Sequence, residues 1–219
     1  MTSFCFRVLF LLLPFCAMGQ LVDDVIFQPA IKIVWHNNSR WSFNTALEQR
    51  NNMTNEVDPL HINLTQFANY EIGFYSQIGL GVMYRELFDE NNPEELRVTE
   101  QFVHAKKYNQ FKVAHRLRWD QRLRSDRVTH RWRYQLSGSL PLSGNKIDTS
   151  EYYLTANLET LLIAENNVGP AYDQRLGFGL GKQLETKYKL QLNTEYRWEQ
   201  FTTENQRSLF IYLSLYANL

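Results

Sequence analysis

Cysteine is nearly missing from this chain. There are two, Cys5 and Cys16, and both lie close to the N-terminus. The remainder has no thiol to form a disulfide framework, so its fold must be held by hydrogen bonds and packing alone. Proline is sparse at six and glycine reaches only ten, which excludes a Pro/Gly-rich disordered or collagen-like chain. Net charge is missing too: 23 basic side chains cancel 23 acidic ones, leaving no overall basic character to attract nucleic acid. Beyond the N-terminal segment, no apolar run approaches the roughly 20 residues a membrane helix needs. Mean hydropathy is polar at −0.42. A transmembrane barrel is compatible with that value, because only alternate residues of its strands face lipid.

What is present begins with a leader. Arg7 supplies a positive charge, Val8 to Phe15 form a short apolar stretch, and Ala17-Met18-Gly19 place small residues before Gln20. This three-part pattern predicts a cleaved secretory signal over residues 1–19 and one domain over 20–219. Cleavage removes both cysteines and one arginine, leaving 22 basic against 23 acidic side chains. A lipidated Cys16 is the alternative, but bulky Phe15 stands where a small residue is expected. An exported domain without disulfides can be held by a closed barrel.

From Val25 onward, period-two alternation predicts eleven strands, at 25–36, 40–50, 61–69, 72–88, 96–107, 110–124, 127–140, 150–164, 172–184, 187–201 and 207–219. Most are longer than ordinary globular strands and suit tilted strands crossing a bilayer. Short connections (36–40, 108–109, 184–187) alternate with longer polar ones (51–59, 89–95, 165–171), as in bacterial barrels. The short link at Ser125-Asp126 and the long one at 141–149 break that alternation. Single-chain bacterial barrels have even strand numbers, so ten or twelve strands are expected, with the region from Leu21 to Gln28 a candidate for an extra one.

The hairpin over 110–140 permits a register test. Phe111, Val113, Leu117, Trp119 and Leu123 share one phase of the first strand; Val128, Trp132, Tyr134, Leu136 and Leu140 share one phase of the second. Closing the hairpin at Ser125-Asp126 pairs Trp119 with Trp132, Leu117 with Tyr134 and Leu123 with Val128. The same register sets Asp120 opposite Arg131 and Arg116 opposite Gln135. Apolar then faces apolar and polar faces polar throughout. A soluble barrel would turn the apolar side inward. The bulk of that side, the strand length and the glycines of the polar phase (Gly79, Gly81, Gly177, Gly179, Gly181) favour a lumen that is polar and a wall that is apolar outside. The predicted fold is all-β: a closed antiparallel transmembrane barrel of about 10–12 strands.

Five blocks carry a family resemblance. They are Gln66-Phe67-Ala68-Asn69-Tyr70, Gly79-Leu80-Gly81-Val82-Met83-Tyr84-Arg85, His115 to Arg122 (HRLRWDQR), Arg131-Trp132-Arg133-Tyr134, and Arg175-Leu176-Gly177-Phe178-Gly179-Leu180-Gly181. Together they span most of the chain, which resembles the DUF2490 family of outer-membrane proteins, a domain of unknown function. The resemblance implies an outer-membrane barrel and brings no activity or site residues.

The most conspicuous chemistry is a cationic cluster in the polar phase: Arg116, Arg118, Arg122, Arg124, Arg127, Arg131 and Arg133. Arg118 falls opposite Arg133, a like-charge pair that needs an answer. Glu48, Asp120, Glu151, Glu159, Glu195 and Glu199 have the lumen phase to supply one. Two readings follow. Arg–carboxylate pairs could fill and lock the interior, or the arginines could line a narrow passage or pocket for an anionic solute. A grip on lipopolysaccharide phosphates is a lesser option.

The five histidines (His36, His61, His104, His115, His130) show no metal-binding spacing, and no cofactor is expected. His130 with Ser125 and Asp126 beside it approaches the set a lipid hydrolase needs; a lipid-modifying outer-membrane enzyme is the lesser alternative, and the expectation is that the protein is not an enzyme. Asn37-Asn38-Ser39 and Asn63-Leu64-Thr65 match the glycosylation pattern but carry little weight in a bacterial strand. The partners expected are outer-membrane lipids and, during insertion, the barrel-assembly machinery, with no nucleic acid; the barrel is expected to be a monomer in a Gram-negative outer membrane.

Overall fold

The structure, a computed structural model, describes residues 22–36, 39–89, 93–125, 127–202 and 205–219. The leader, Asn37, Asn38 and Asp126 lie outside the described residues. Eleven strands and no helix occur among them. The first six are β1 (Asp24–His36), β2 (Trp41–Asn52), β3 (Asp58–Gly73), β4 (Ser76–Leu87), β5 (Glu95–Tyr108) and β6 (Phe111–Arg124). The rest are β7 (Arg127–Pro141), β8 (Tyr152–Glu165), β9 (Val168–Gln183), β10 (Tyr188–Glu199) and β11 (Gln206–Asn218). Each strand pairs antiparallel with the next, and β1 pairs with β11 to close the barrel.

That closing pair is parallel, running from Asp24↔Ser208 to Val34↔Asn218. The expected even count of ten or twelve is therefore corrected to eleven. The even rule concerns where the chain ends emerge; it places no demand on the wall itself. A parallel ladder also satisfies the backbone donors and acceptors, at slightly lower stability per residue, and removes both edges. No twelfth strand is formed by the described part of 21–28, because Asp24 to Gln28 belong to β1.

The connections fall at two rims. The turn end carries 39–40, 74–75, 109–110, 142–151 and 184–187; the loop end carries 53–57, 88–89, 93–94, 125, 166–167, 200–202 and 205. Two expected boundaries move. The third hairpin turns at Phe74-Tyr75, several residues later than the alternation predicts, with Tyr75 in the left-handed region at φ 66° and a register irregularity between Glu71 and Gly73. The expected long connection at 165–171 is a tight turn, with Asn167 at φ 62° and Glu165 paired to Val168. Asparagine tolerates that conformation better than most residues and so permits the short link. Pro170 is accommodated because β10 ceases to pair with β9 at Trp198↔Gln174, short of it.

The β6–β7 register is the one read from the sequence: Trp119↔Trp132, Leu117↔Tyr134, Leu123↔Val128, Asp120↔Arg131 and Arg118↔Arg133. Its apolar phase faces outward. Leu117 is 53% exposed while Asp120 is fully buried, so the arrangement is the inverse of a soluble barrel. Strands of 12–16 residues tilted as in other barrels give a wall about 30 Å tall. Trp35, Trp41, Tyr108, Tyr152 and Tyr188 ring the outside at the turn end, and Phe88, Tyr172 and Phe201 lie outside at the loop end.

Inside, the lumen glycines admit the side chains of neighbouring strands. A Cβ on Gly81 would meet the Phe67 ring, and one on Gly181 would meet the Tyr153 ring, with Cε1 and Oη at 2.5 Å. Tyr153 in turn donates to Gln191 at 3.2 Å. Gly181→Ala is accordingly expected to destabilise the barrel by about 1–3 kcal/mol through overpacking. Gly169, with nothing within 4 Å of its Cβ position, should tolerate alanine within about 0.5 kcal/mol. Urea unfolding in detergent checks the pair, and equal midpoints would contradict the packing described.

Candidate functional site in the barrel lumen

Because alternate residues of every strand point inward, the lumen collects charges from most of the strands. They concentrate in its loop-end half. The deepest is Glu95, the first residue of β5, which is fully buried. Arg97 and Arg122 approach it at 2.6 and 2.5 Å, Arg124 at 2.6 Å and Arg85 at 3.5 Å. One carboxylate thus joins guanidiniums from β4, β5 and β6, while Arg85 also donates to Asn63 at 2.8 Å.

Nearer mid-height, Asp120 accepts a hydrogen bond from Thr99 at 2.8 Å and pairs with Arg133. Glu159 lies 3.2 Å from Arg116, 3.3 Å from Arg175 and 4.0 Å from Arg133. The like-charge pair Arg118↔Arg133 is answered here: Arg133 turns to the two carboxylates, and Arg118 donates to Gln101 at 2.9 Å. The Arg118 guanidinium lies 5.1 Å from the Phe67 ring centroid, a cation–π distance. On the opposite wall, Arg197 contacts Glu195 at 2.8 Å and Glu199 at 3.6 Å, Tyr212 and the Phe210 ring. Arg175 adds Asp173 at 3.4 Å and Glu199 at 3.7 Å. Lys32 pairs with Glu48 at 3.2 Å.

Of the residues singled out in the sequence, Arg116, Arg122, Arg124, Arg131, Arg133, Glu48, Asp120, Glu159, Glu195 and Glu199 all enter ion pairs. Arg118 joins through Gln101. Two are placed elsewhere. Arg127 is exposed at the loop rim, opposite Arg124. Glu151 precedes β8 at the turn end, where its carboxylate accepts from the Asp148 amide at 3.0 Å. Strand phase says which side of the wall a residue faces and nothing about its height, and the arginines occupy the other half of the lumen. Sequence reasoning missed Arg50, Arg85, Arg97, Arg175, Arg197, Lys32, Glu95 and Asp173. The same alternation continued along β4, β5, β9 and β10 would have found most of them; Glu95 escaped because it was read as loop.

Toward the turn end a layer of uncharged, hydrogen-bonded side chains fills the lumen, beside Lys32 and Lys189, which also fall in that half. Gln101 bonds Asn69 at 2.7 Å, Gln191 bonds Asn193 at 2.8 Å, and Gln191 bonds Thr155 at 3.3 Å. Asn69 is 1% exposed and Tyr153 5%. Between this layer and the loop rim remains a cavity of about 740 Å³. Other candidates resolve differently. Among the described residues no group of three His, Cys, Asp or Glu could hold a metal. His130 is stacked between Trp119 and Trp132, with centroids at 5.8 and 5.9 Å, and Ser125 sits in the tight turn at φ 47°. Asn63 of the second glycosylation pattern is a buried lumen residue.

Residues 32–208 match a family described as a protein of unknown function (DUF2490). No curated protein matches the sequence.

Removing one partner of a buried ion pair leaves the other charge uncompensated, at a cost of about 3–5 kcal/mol. Glu95→Gln, which abandons four guanidiniums, is expected to lose that much or more, whereas Glu151→Gln should stay within about 0.5 kcal/mol of wild type. Denaturant melts of the two variants in the same detergent check this, and comparable losses would show that the lumen network does not hold the barrel.

Proposed function

For a chain that belongs to the DUF2490 family, we propose the role of a monomeric outer-membrane barrel of a Gram-negative bacterium, exported by a Sec-type signal, with a lumen bridged by ion pairs and nearly closed to ions. The observation that carries this reading is the orientation of the wall: large apolar side chains outside, charges inside. In water that surface would be an aggregation hazard, whereas in a bilayer it faces lipid. A wall about 30 Å tall suits the hydrocarbon thickness, and aromatic residues outside both rims suit the two interfaces. Outer-membrane lipids are then the permanent surroundings, and the barrel-assembly machinery the transient partner. Nucleic acid has no place in this account.

Closure is supported by the two kinds of filling. The carboxylates tie guanidiniums across the loop half, and hydrogen-bonded Asn, Gln, Thr and Tyr side chains fill the turn half. The protein then acts as a wall element rather than a diffusion pore. A second reading, an anion-selective channel, draws on the surplus of arginines in the cavity. Planar-bilayer recordings separate the two. The closed reading expects little steady conductance from wild-type protein. Steady conductance with anion preference, reduced by Arg118→Ala, would replace it with the channel.

We also infer no hydrolase chemistry. His130 is held in an aromatic stack of the outer wall, which supports a structural part for it. Purified protein should not deacylate phospholipid or lipid A, and turnover abolished by His130→Ala would reverse that inference.

A further inference from the structure

The ion pairs of the lumen do not balance. The cavity is lined by twelve cationic side chains and five carboxylates. Glu95 and Asp120, buried behind the lining, bring the carboxylates to seven, which leaves five positive charges in excess among the described residues. The surplus has identifiable owners. Among the described residues Arg118 and Arg50 touch no carboxylate: their guanidiniums donate to Gln101 at 2.9 Å and Gln28 at 3.0 Å. Arg131 is only 7% exposed; among the described residues its one ion pair is a 3.9 Å approach to Asp173, and its Nε has no hydrogen-bond partner. The Nε of Arg118 is likewise unpartnered. Arg116 makes one ion pair and is 29% exposed.

A buried guanidinium with unused donors is costly unless something accepts from it. Arginine stays charged in proteins, so proton loss offers no relief. An oxyanion relieves it best, because planar guanidiniums bind phosphate-type oxygens in pairs. The cavity volume falls within the range of small-molecule pockets, about 300–1,000 Å³. Its lining reaches Arg124, Gln200 and Gln206 at the loop rim and Lys32 and Asn44 on the turn side, where hydrogen-bonded Asn, Gln, Thr and Tyr side chains narrow the lumen. The barrel wall separates it from the outer apolar face all the way round. A ligand therefore enters from solution at the loop end and meets a floor.

We propose that the arginine-lined cavity of the lumen, from mid-height to the loop rim, is a binding pocket for a small, soluble, multivalent oxyanion of the phosphate class, held by Arg118 and Arg131, with Arg50 and Arg116 in the same lining. The proposal rests on the lumen being a closed vestibule, but it is tested separately from conductance.

Inorganic pyrophosphate is the probe. Full-length protein folded in neutral detergent is titrated calorimetrically at constant ionic strength, with chloride as control. The expected result is saturable binding near one per barrel, weakened at least tenfold by Arg118→Gln and by Arg131→Gln and unchanged by Arg127→Gln at the rim. Should the lumen variants fail to fold, the thermal midpoint of the wild type decides: a rise with pyrophosphate beyond that given by chloride supports the pocket, and its absence overturns it. Absence of saturable heat, variants that bind as the wild type does, or binding only of a phosphorylated lipid in mixed micelles would also overturn it. A barrel that conducts yet binds pyrophosphate through Arg118 keeps the pocket and loses the closed lumen; a silent barrel that binds none does the reverse.

Discussion

A strand in a closed wall has two directions in which to send a side chain, and neighbours along the chain must take opposite ones. The wall is one residue thick, so its two faces can serve different surroundings without any second layer. In this barrel one choice predominates around the circumference. Most Leu, Trp, Tyr and Phe side chains go outward, and most Arg, Glu, Asp, Asn and Gln side chains go inward. The lumen glycines, the parallel closing ladder and the crowded ion pairs are consequences. With the apolar side chains outside, the interior has only a small apolar share (Ile26, Met83, Leu161, Phe210) and must be stabilised by polar contacts.

Such contacts are demanding. Charges removed from water are stabilised only if their partners are well placed. The lumen meets that demand by sharing: Glu95 serves four arginines and Glu159 three. Glycines on β4 and β9 supply the space into which Phe67, Asn157, Asn193 and Tyr153 settle from adjacent strands. The two halves of the lumen divide the work. The uncharged layer at the turn end fills space with short hydrogen bonds, and the charged layer at the loop end encloses the cavity. Sharing carboxylates also explains the charge excess, since seven carboxylates can orient most of the guanidiniums without neutralising all of them.

Much of this was legible in the sequence where alternation is uninterrupted. The β6–β7 hairpin was read residue for residue, because its aromatic phase and its arginine phase can be superposed in only one register. Ends of strands were harder. Tyr75 and Asn167 adopt left-handed backbone, and nothing in the alternation marks those two residues rather than their neighbours as the turn. Glu95 closes a polar stretch that resembles a loop, yet one residue's difference in strand onset makes it a fully buried acid of the lumen. Glu151 shows the converse: the right phase at the wrong height. Alternation marks all eleven strands; the even-number rule concerns the chain ends, and the parallel closing ladder does not obey it. Which guanidiniums would lack a carboxylate depends on contacts between strands distant in sequence, such as Arg116 with Glu159, and no local pattern carries that.

The membrane orientation of the wall is tested most directly by nitroxide labels placed singly at positions 131, 132, 133 and 134 of the barrel reconstituted in lipid vesicles. Four successive residues sample both faces within one stretch of β7. The account predicts high collision rates with oxygen dissolved in the hydrocarbon for labels at Trp132 and Tyr134, and low rates at Arg131 and Arg133. The opposite alternation, or equal values at all four, would contradict it.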